Sequence, residues 1–223
     1  KKKIFGEINH LTVISPSAWL GQLVKQSYLG NRQVVVINNG IDVSKFTNKP
    51  SQFREKHGLE NQKIILCVAY VFDQRKGIQD IIKLSEIVEK DTTIVIVGNI
   101  PKKIKTLNKN IIHIKKTDNV DQLVELYSCA DVMFNPTYED NYPTTHLEAI
   151  ACKTPVVCYR TGGAVETVHE DFVVEQGDYK GAYAVMRTLF EKTKQYPFMD
   201  RDQLSKDVMH NKYLELIKEI LNK

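Results

Sequence analysis

The residues best placed to do chemistry lie in YEDNYPTTHLEAIACKTPVV, residues 138–157, where Asp140 and Glu148 stand across a predicted helix start with nothing bulky and apolar between Asn141 and Thr145. Pro143 suits the first helical turn, where a missing N–H is no loss. Thr144 and Thr145 add small hydroxyls to a turn whose backbone N–H groups have no helical acceptor. Such a turn, at the positive end of the helix dipole, holds an anion, and phosphate is the commonest that fits. Glu148 follows Thr144 by four residues, so the two share a face, and helical side chains lean toward the N-terminus, which aims this carboxylate at the same end. Two carboxylates repel a phosphate unless they serve the uncharged hydroxyls of ribose or another sugar, which a carboxylate accepts strongly. A diphosphate between two sugars meets all these demands, so the expected ligand is a nucleotide sugar.

The surrounding pattern supplies the scaffold. Short β-branched runs, LTVI at 11, VVVI at 34, IILCVA at 64, TTIVIV at 92, IIHI at 111, DVMFN at 131 and PVVCY at 155, are apolar on both faces and each is separated from the next by a helix-length segment. That predicts a parallel sheet covered on both sides, an α/β doubly wound fold. GIQDIIKLSEIVEK from Gly77 reads as a helix through Ile78, Ile81, Ile82, Leu84 and Val88, and NVDQLVELYSCA from Asn119 as one burying Val120, Leu123, Val124 and Tyr127. Two more are expected near the end, through Ala182, Val185, Met186, Leu189 and Phe190, and through Leu204, Val208, Tyr213, Leu216, Ile217 and Ile220. In open sheets of this kind ligands bind beyond the carboxyl ends of the strands, which is where the 136–143 loop falls. INNGIDVSKF marks a boundary near residue 42, with Asn-Gly suited to a tight turn; residues 1–42 hold too little to form a core and must pack on something else.

The 223 residues carry 31 basic and 27 acidic side chains, mostly interspersed, with small clusters at Lys1–Lys3, Lys102–Lys105 and Lys115–Lys116. This is a solvated surface rather than a nucleic-acid footprint. Cys67, Cys129, Cys152 and Cys158 sit in or beside apolar runs without zinc-ligand spacing, so buried thiols in a reducing cytosol are expected. No run reaches the roughly 20 apolar residues of a membrane span, and KKKIFGEINH lacks a signal-peptide core. The chain starts without methionine, and we expect a piece of a longer protein.

DNYPTTHLEAIACKTPVV resembles the signature of retaining, nucleotide-sugar-dependent glycosyltransferases of group 1 (family 4), namely an acidic residue, seven residues, Glu, a small apolar helix and PVV. TGGAVETV with Gly162, Gly163 and Glu166, VAYVFDQRKGIQDII and VINNGID are similar to further family segments, all in the family's order between residues 36 and 168. The resemblance implies the GT-B architecture of two Rossmann-like domains, with residues 43–223 as the C-terminal donor-binding domain and 1–42 as the tail of an acceptor-side domain. It implies that Glu148 binds the donor ribose, that Asp140 lies near the transferred sugar and its diphosphate as an electrostatic or positioning group, and that backbone groups of Asn141, Tyr142, Thr144 and Thr145 hold sugar and phosphates. Lys76, with Arg75 beside it, would neutralise the leaving diphosphate, and no metal or other cofactor is required. Gly163 either makes a tight turn or lets backbone approach the sugar.

The implied partners are a UDP- or GDP-sugar and a glycan or lipid-linked acceptor met through the other domain, with no nucleic acid. The implied location is the cytoplasm, with at most peripheral contact at the inner membrane. Alternative readings are a non-catalytic nucleotide-sugar sensor and a GT-B epimerase. The sequence departs from the family at several points. Asp140 stands where many members have Glu, with neighbouring Glu139 an alternative; Val71 stands where an Arg is frequent. Lys153 replaces a usual Gly, which implies a different helix ending, His146 is expected exposed or half-buried, and Trp19 is expected in packing.

Overall fold

The computed structural model describes residues 2–8, 10–102, 104, 106–192 and 195–222; Lys1, Lys103 and Lys105 of the basic clusters lie outside the described residues. In chain order the elements are α1 (Lys2–Gly6), β1 (Thr12–Ser15), α2 (Ala18–Lys25), β2 (Gln33–Val36), α3 (Phe53–His57), β3 (Lys63–Val71), α4 (Ile78–Ile87), β4 (Thr92–Asn99), β5 (Ile111–Ile114), α5 (Val120–Cys129), β6 (Val132–Asn135), α6 (Thr144–Ala151), β7 (Val156–Tyr159), β8 (Val173–Val174), α7 (Tyr179–Phe190) and α8 (Lys206–Leu221). Tight 3-10 turns occupy Gly162–Thr167, Glu170–Phe172 and Arg201–Leu204.

Six strands form one parallel sheet in the order β5-β4-β3-β6-β7-β8, while β1 and β2 pair in a separate two-stranded parallel sheet. The centre of the large sheet is β3, in register with β4 at Ile65↔Ile94 and with β6 at Ile65↔Val132. Covered on both faces, β3 buries Ile64, Ile65, Leu66 and Cys67 to 1% exposure or less, each large side chain contributing roughly 1.5–3 kcal/mol of transfer free energy. The chain steps outward from β3 through β4 to β5, then returns to β6 on the other flank. Right-handed crossovers therefore put α4 on one face and α5 and α6 on the other. They also place the reversal of strand order between β3 and β6, the position where a doubly wound sheet opens a crevice for ligands.

Local sequence accounts for the helix ends. Asn119 caps α5 by accepting the Gln122 N–H at 2.9 Å. At the end of α6, the Lys153 N–H reaches Ile150 O and the Thr154 N–H reaches Ala149 O, both at 2.9 Å, with Lys153 at φ 62°. That is the Schellman ending a glycine would give, so the different ending expected from Lys153 is not what forms. The left-handed turn is kept, and the Lys153 ammonium lies 5.2 Å from the Phe198 ring centroid.

Two further expectations are corrected. Val120 is 43% exposed rather than buried, because it is the first residue of α5. Leu204 belongs to the turn before α8, not to the helix. The apolar stripe of α8 is largely uncovered, with Leu216 buried but Leu214, Ile217, Ile220 and Leu221 exposed.

The first 42 residues dock on the rest of the chain. Ile41 bridges to Ser205, with the Ile41 N–H on Leu204 O and the Lys206 N–H on Ile41 O, each at 2.8 Å. Asp42 pairs with Lys206 at 2.7 Å. All four cysteines are buried free thiols. Among the described residues, no helix is long and apolar enough to cross a membrane.

Candidate functional site

Two loops meet at the reversal of strand order. The one after β3 ends at Gly77, whose φ of 69° starts α4 and whose absent Cβ would lie 2.1 Å from Pro136 O. Only glycine permits that approach, and it seats the β3–α4 loop directly on the β6–α6 loop. Lys76 and Asp140 are thereby brought face to face, Nζ to Oδ2 at 2.6 Å, with side chains 19% and 17% exposed. Asp140 Oδ1 accepts its neighbour Asn141 N–H at 2.9 Å, and its carbonyl accepts the Gly163 N–H at 3.2 Å. The Lys76 backbone is fixed in turn by its N–H on Asp73 Oδ1 at 2.9 Å.

Of the two adjacent acids, Asp140 is the one in this pair. The Glu139 carbonyl instead accepts the Thr137 hydroxyl at 3.0 Å. Arg75 does not join Lys76; its guanidinium sits 3.4 Å from Glu139 O, beside an open cleft of about 480 Å³ lined by Asp73, Gln74, Arg75, Tyr138 and Glu139.

The start of α6 is open. Pro143 is its N-cap, outside the first turn where it was expected, and offers no side-chain cap. The His146 N–H turns back to Pro143 O at 3.2 Å, and among the described residues nothing accepts from the N–H groups of Thr144 and Thr145. Thr144 is exposed, Thr145 half-buried and Tyr142 buried, the last with its carbonyl held by Asn39 Nδ2 at 3.1 Å.

Glu148 lies apart from the Lys76–Asp140 pair. It is half-buried toward α5, where the Tyr127 hydroxyl donates to Oε2 at 2.9 Å. Burial pushes its carboxyl up to about 7, partly opposed by that hydrogen bond. Tyr127 shares a face of α5 with Leu123 one turn away. Leu123 lines a groove of about 370 Å³ beyond β3, β4 and β5 with an apolar floor that includes Val68 and Val97 and a rim of Lys115, Lys116 and Thr117. Among the described residues there is no cluster of three or more metal-ligating side chains.

His146 is fully buried, not exposed or half-buried. The Thr167 hydroxyl donates to Ala164 O at 2.7 Å and so accepts from His146 Nδ1–H at 2.7 Å, while Asn135 Nδ2 donates to Nε2 at 2.7 Å. Burial lowers its pKa to about 3, so it is a neutral strut beneath the loop. Another anchor that went unseen in the sequence is Asp80, 4% exposed, which accepts the hydroxyls of Tyr138 at 2.6 Å and Tyr159 at 3.1 Å. These partners lie 58 and 79 residues away, so no local pattern signals them. Glu166 faces the N-terminal unit, with its carboxylate on the Ala18 and Trp19 N–H groups at 2.9 and 2.8 Å. Trp19 stays 40% exposed, one ring edge packed toward Gly162.

Sheet order, crevice and flanking helices define a Rossmann-like domain of the GT-B type. Residues 50–203 match the family Glycosyl transferases group 1, and the chain belongs to that family. It is 32% identical over 158 residues to the processive diacylglycerol alpha-glucosyltransferase of Acholeplasma laidlawii, covering 65% of this chain and 47% of that protein. Its fold is similar to sucrose-phosphate synthase of Thermosynechococcus elongatus, with a TM-score of 0.82 at 19% identity over 99% of this chain and 60% of the other. It is also similar to Anabaena HepE in complex with UDP-glucose, with a TM-score of 0.79 at 17% identity over 97% and 66%. The chain spans about half the length of the curated relatives it matches.

Proposed function

We propose that this chain is the donor-binding half of a hexosyltransferase that takes a nucleotide sugar and transfers the sugar, with retention, to a glycan or lipid-linked acceptor. The observation that carries the reading is the Lys76–Asp140 pair set beside the open start of α6. A diphosphate laid there takes the Thr144 and Thr145 N–H groups and the Lys76 ammonium, which together stabilise the charge that grows on the leaving group. Asp140, freed from Lys76, then accepts from hydroxyls of the transferred sugar. With the charge met by lysine and helix, the reading needs no metal.

The groove beside Leu123 suits a nucleoside. Glu148, held by the Tyr127 hydroxyl, accepts from the ribose, and the mostly backbone contacts of residues 141–145 suit a sugar's many hydroxyls. Residues 1–42 are then the tail of an acceptor-side domain. The name of the Acholeplasma relative supports a lipid acceptor, and the UDP-glucose complex of HepE supports a uridine donor. A lipid acceptor in turn suits a cytoplasmic protein that touches the inner membrane only peripherally. Calorimetric titration with UDP, GDP and their hexose conjugates tests the reading; binding of none of them would reject it.

A further inference from the structure

The turn Gly162–Thr167 is gripped from two sides. Toward the candidate donor loop, the Gly163 N–H bonds Asp140 O at 3.2 Å. A Cβ on Gly163 would lie 1.8 Å from Asn141 O and 2.6 Å from Ser17 Oγ, so this bare backbone is where the loop and the β1–α2 turn abut. Toward the N-terminal unit, Glu166 spends both carboxylate oxygens on α2, Oε2 on the Ala18 N–H and Oε1 on the Trp19 N–H. The Ser17 hydroxyl oxygen takes the Leu20 N–H at 3.1 Å and Ser15 Oγ takes the Ser17 N–H at 3.4 Å. All four N–H groups that a helix start leaves without partners are thus satisfied, two of them by a side chain 147 and 148 residues away in sequence. Asn39, on the strand exit of the same unit, ties to the donor loop separately through Tyr142 O.

We infer that Glu166 is a positioning residue whose carboxylate latches the β1–α2 turn onto the loop bearing Asp140, so that ligand binding at that loop and the placement of residues 12–37 are coupled. The contact path is short. A ligand anion that draws Lys76 away from Asp140 acts on the residue whose carbonyl holds Gly163, three positions before Glu166. The coupling rests on the donor-site reading above; the latch does not.

Hydrogen exchange on the 223-residue chain, with and without UDP or GDP, tests both parts. Glu166→Ala should speed exchange in α2 by roughly 2- to 30-fold, the span for losing a helix N-cap, while amides of β3 to β7 keep their rates. Glu166→Gln, with one acceptor left, should fall between. Nucleotide should slow α2 in the native chain and leave it unchanged in Glu166→Ala. Unaltered α2 exchange in Glu166→Ala, or equal acceleration across the large sheet, would overturn the latch. Nucleotide that binds by calorimetry without slowing α2 would overturn the coupling. Failure of both nucleotides to bind would reject the donor reading, and with it the coupling, while the latch is still decided by the ligand-free comparison.

Discussion

Two eight-residue helices, α2 and α6, begin close to one another after a strand and a proline-containing turn, and their starts are treated in opposite ways. At α2 every free N–H is taken, by Ser15, Ser17 and the Glu166 carboxylate. At α6 the cap is a proline without a side-chain acceptor, the next two N–H groups have no partner among the described residues, and a lysine stands at the mouth. Equal dipoles have unequal fates because one has been given an internal anion and the other has not. The lesson is that a helix start becomes a ligand site through what the protein withholds from it.

The comparison can be broken most severely at Gly77. Adding a methyl group at φ 69°, 2.1 Å from Pro136 O, should part the loops that bring Lys76 to Asp140. Gly77→Ala is expected to cost about 2–4 kcal/mol of stability, combining left-handed strain with overpacking, and to weaken nucleoside diphosphate binding. Denaturant unfolding and calorimetry check this, and a variant as stable as the native chain would show that the close seating of the loops is not needed.

A second test uses the carboxylate that α6 keeps for itself. Glu148 has a folded pKa near 7 against an ordinary value of 4.5, so between those values the folded state binds more protons than the unfolded, and stability falls as pH rises through that window. Glu148→Gln keeps an acceptor for Tyr127 and removes the ionisation cost. It should therefore be more stable than the native chain by about 3 kcal/mol at pH 8 and equal to it at pH 4. The same change should weaken nucleotide-sugar binding by about 1.5–3 kcal/mol. Lower stability than native at pH 8 would contradict the burial argument.

The smallest effect lies at the other end of α6. Lys153→Gly relieves about 1 kcal/mol of left-handed strain and loses about 0.5 kcal/mol of contact with Phe198. Thermal melts should show a net gain of about 0.5 kcal/mol, and Lys153→Ala, which keeps the strain and loses the contact, a net loss of similar size.

Much of this was legible in the sequence because it is local. The seven apolar runs became β1 to β7, and the segment read as a helix from Asn119 became α5 with Asn119 as its cap. Strand β8, two residues long, and helices α1 and α3, five each, are too short to show a period. At the site, Lys76 and Asp140 were found by type and resemblance, but their pairing needed the fold. His146 was misjudged because its partners, Asn135 and Thr167, lie 11 and 21 residues away and turn a polar side chain into a buried strut. Glu166 showed in the sequence only as part of the TGGAVETV motif, whereas its acceptor geometry serves a helix at the far end of the sequence. Long-range hydrogen bonds leave no periodic trace.

The most direct test of the contrast between the two helix starts is the affinity of the native chain and of Lys76→Ala for UDP and GDP, each set against uridine and guanosine, measured by calorimetry at low and high salt. The open start of α6 with its lysine predicts that the substitution weakens the diphosphate by about 1.5–3 kcal/mol, leaves the nucleoside unchanged, and that added salt narrows the gap. Equal losses for diphosphate and nucleoside, or no loss for either, would contradict it.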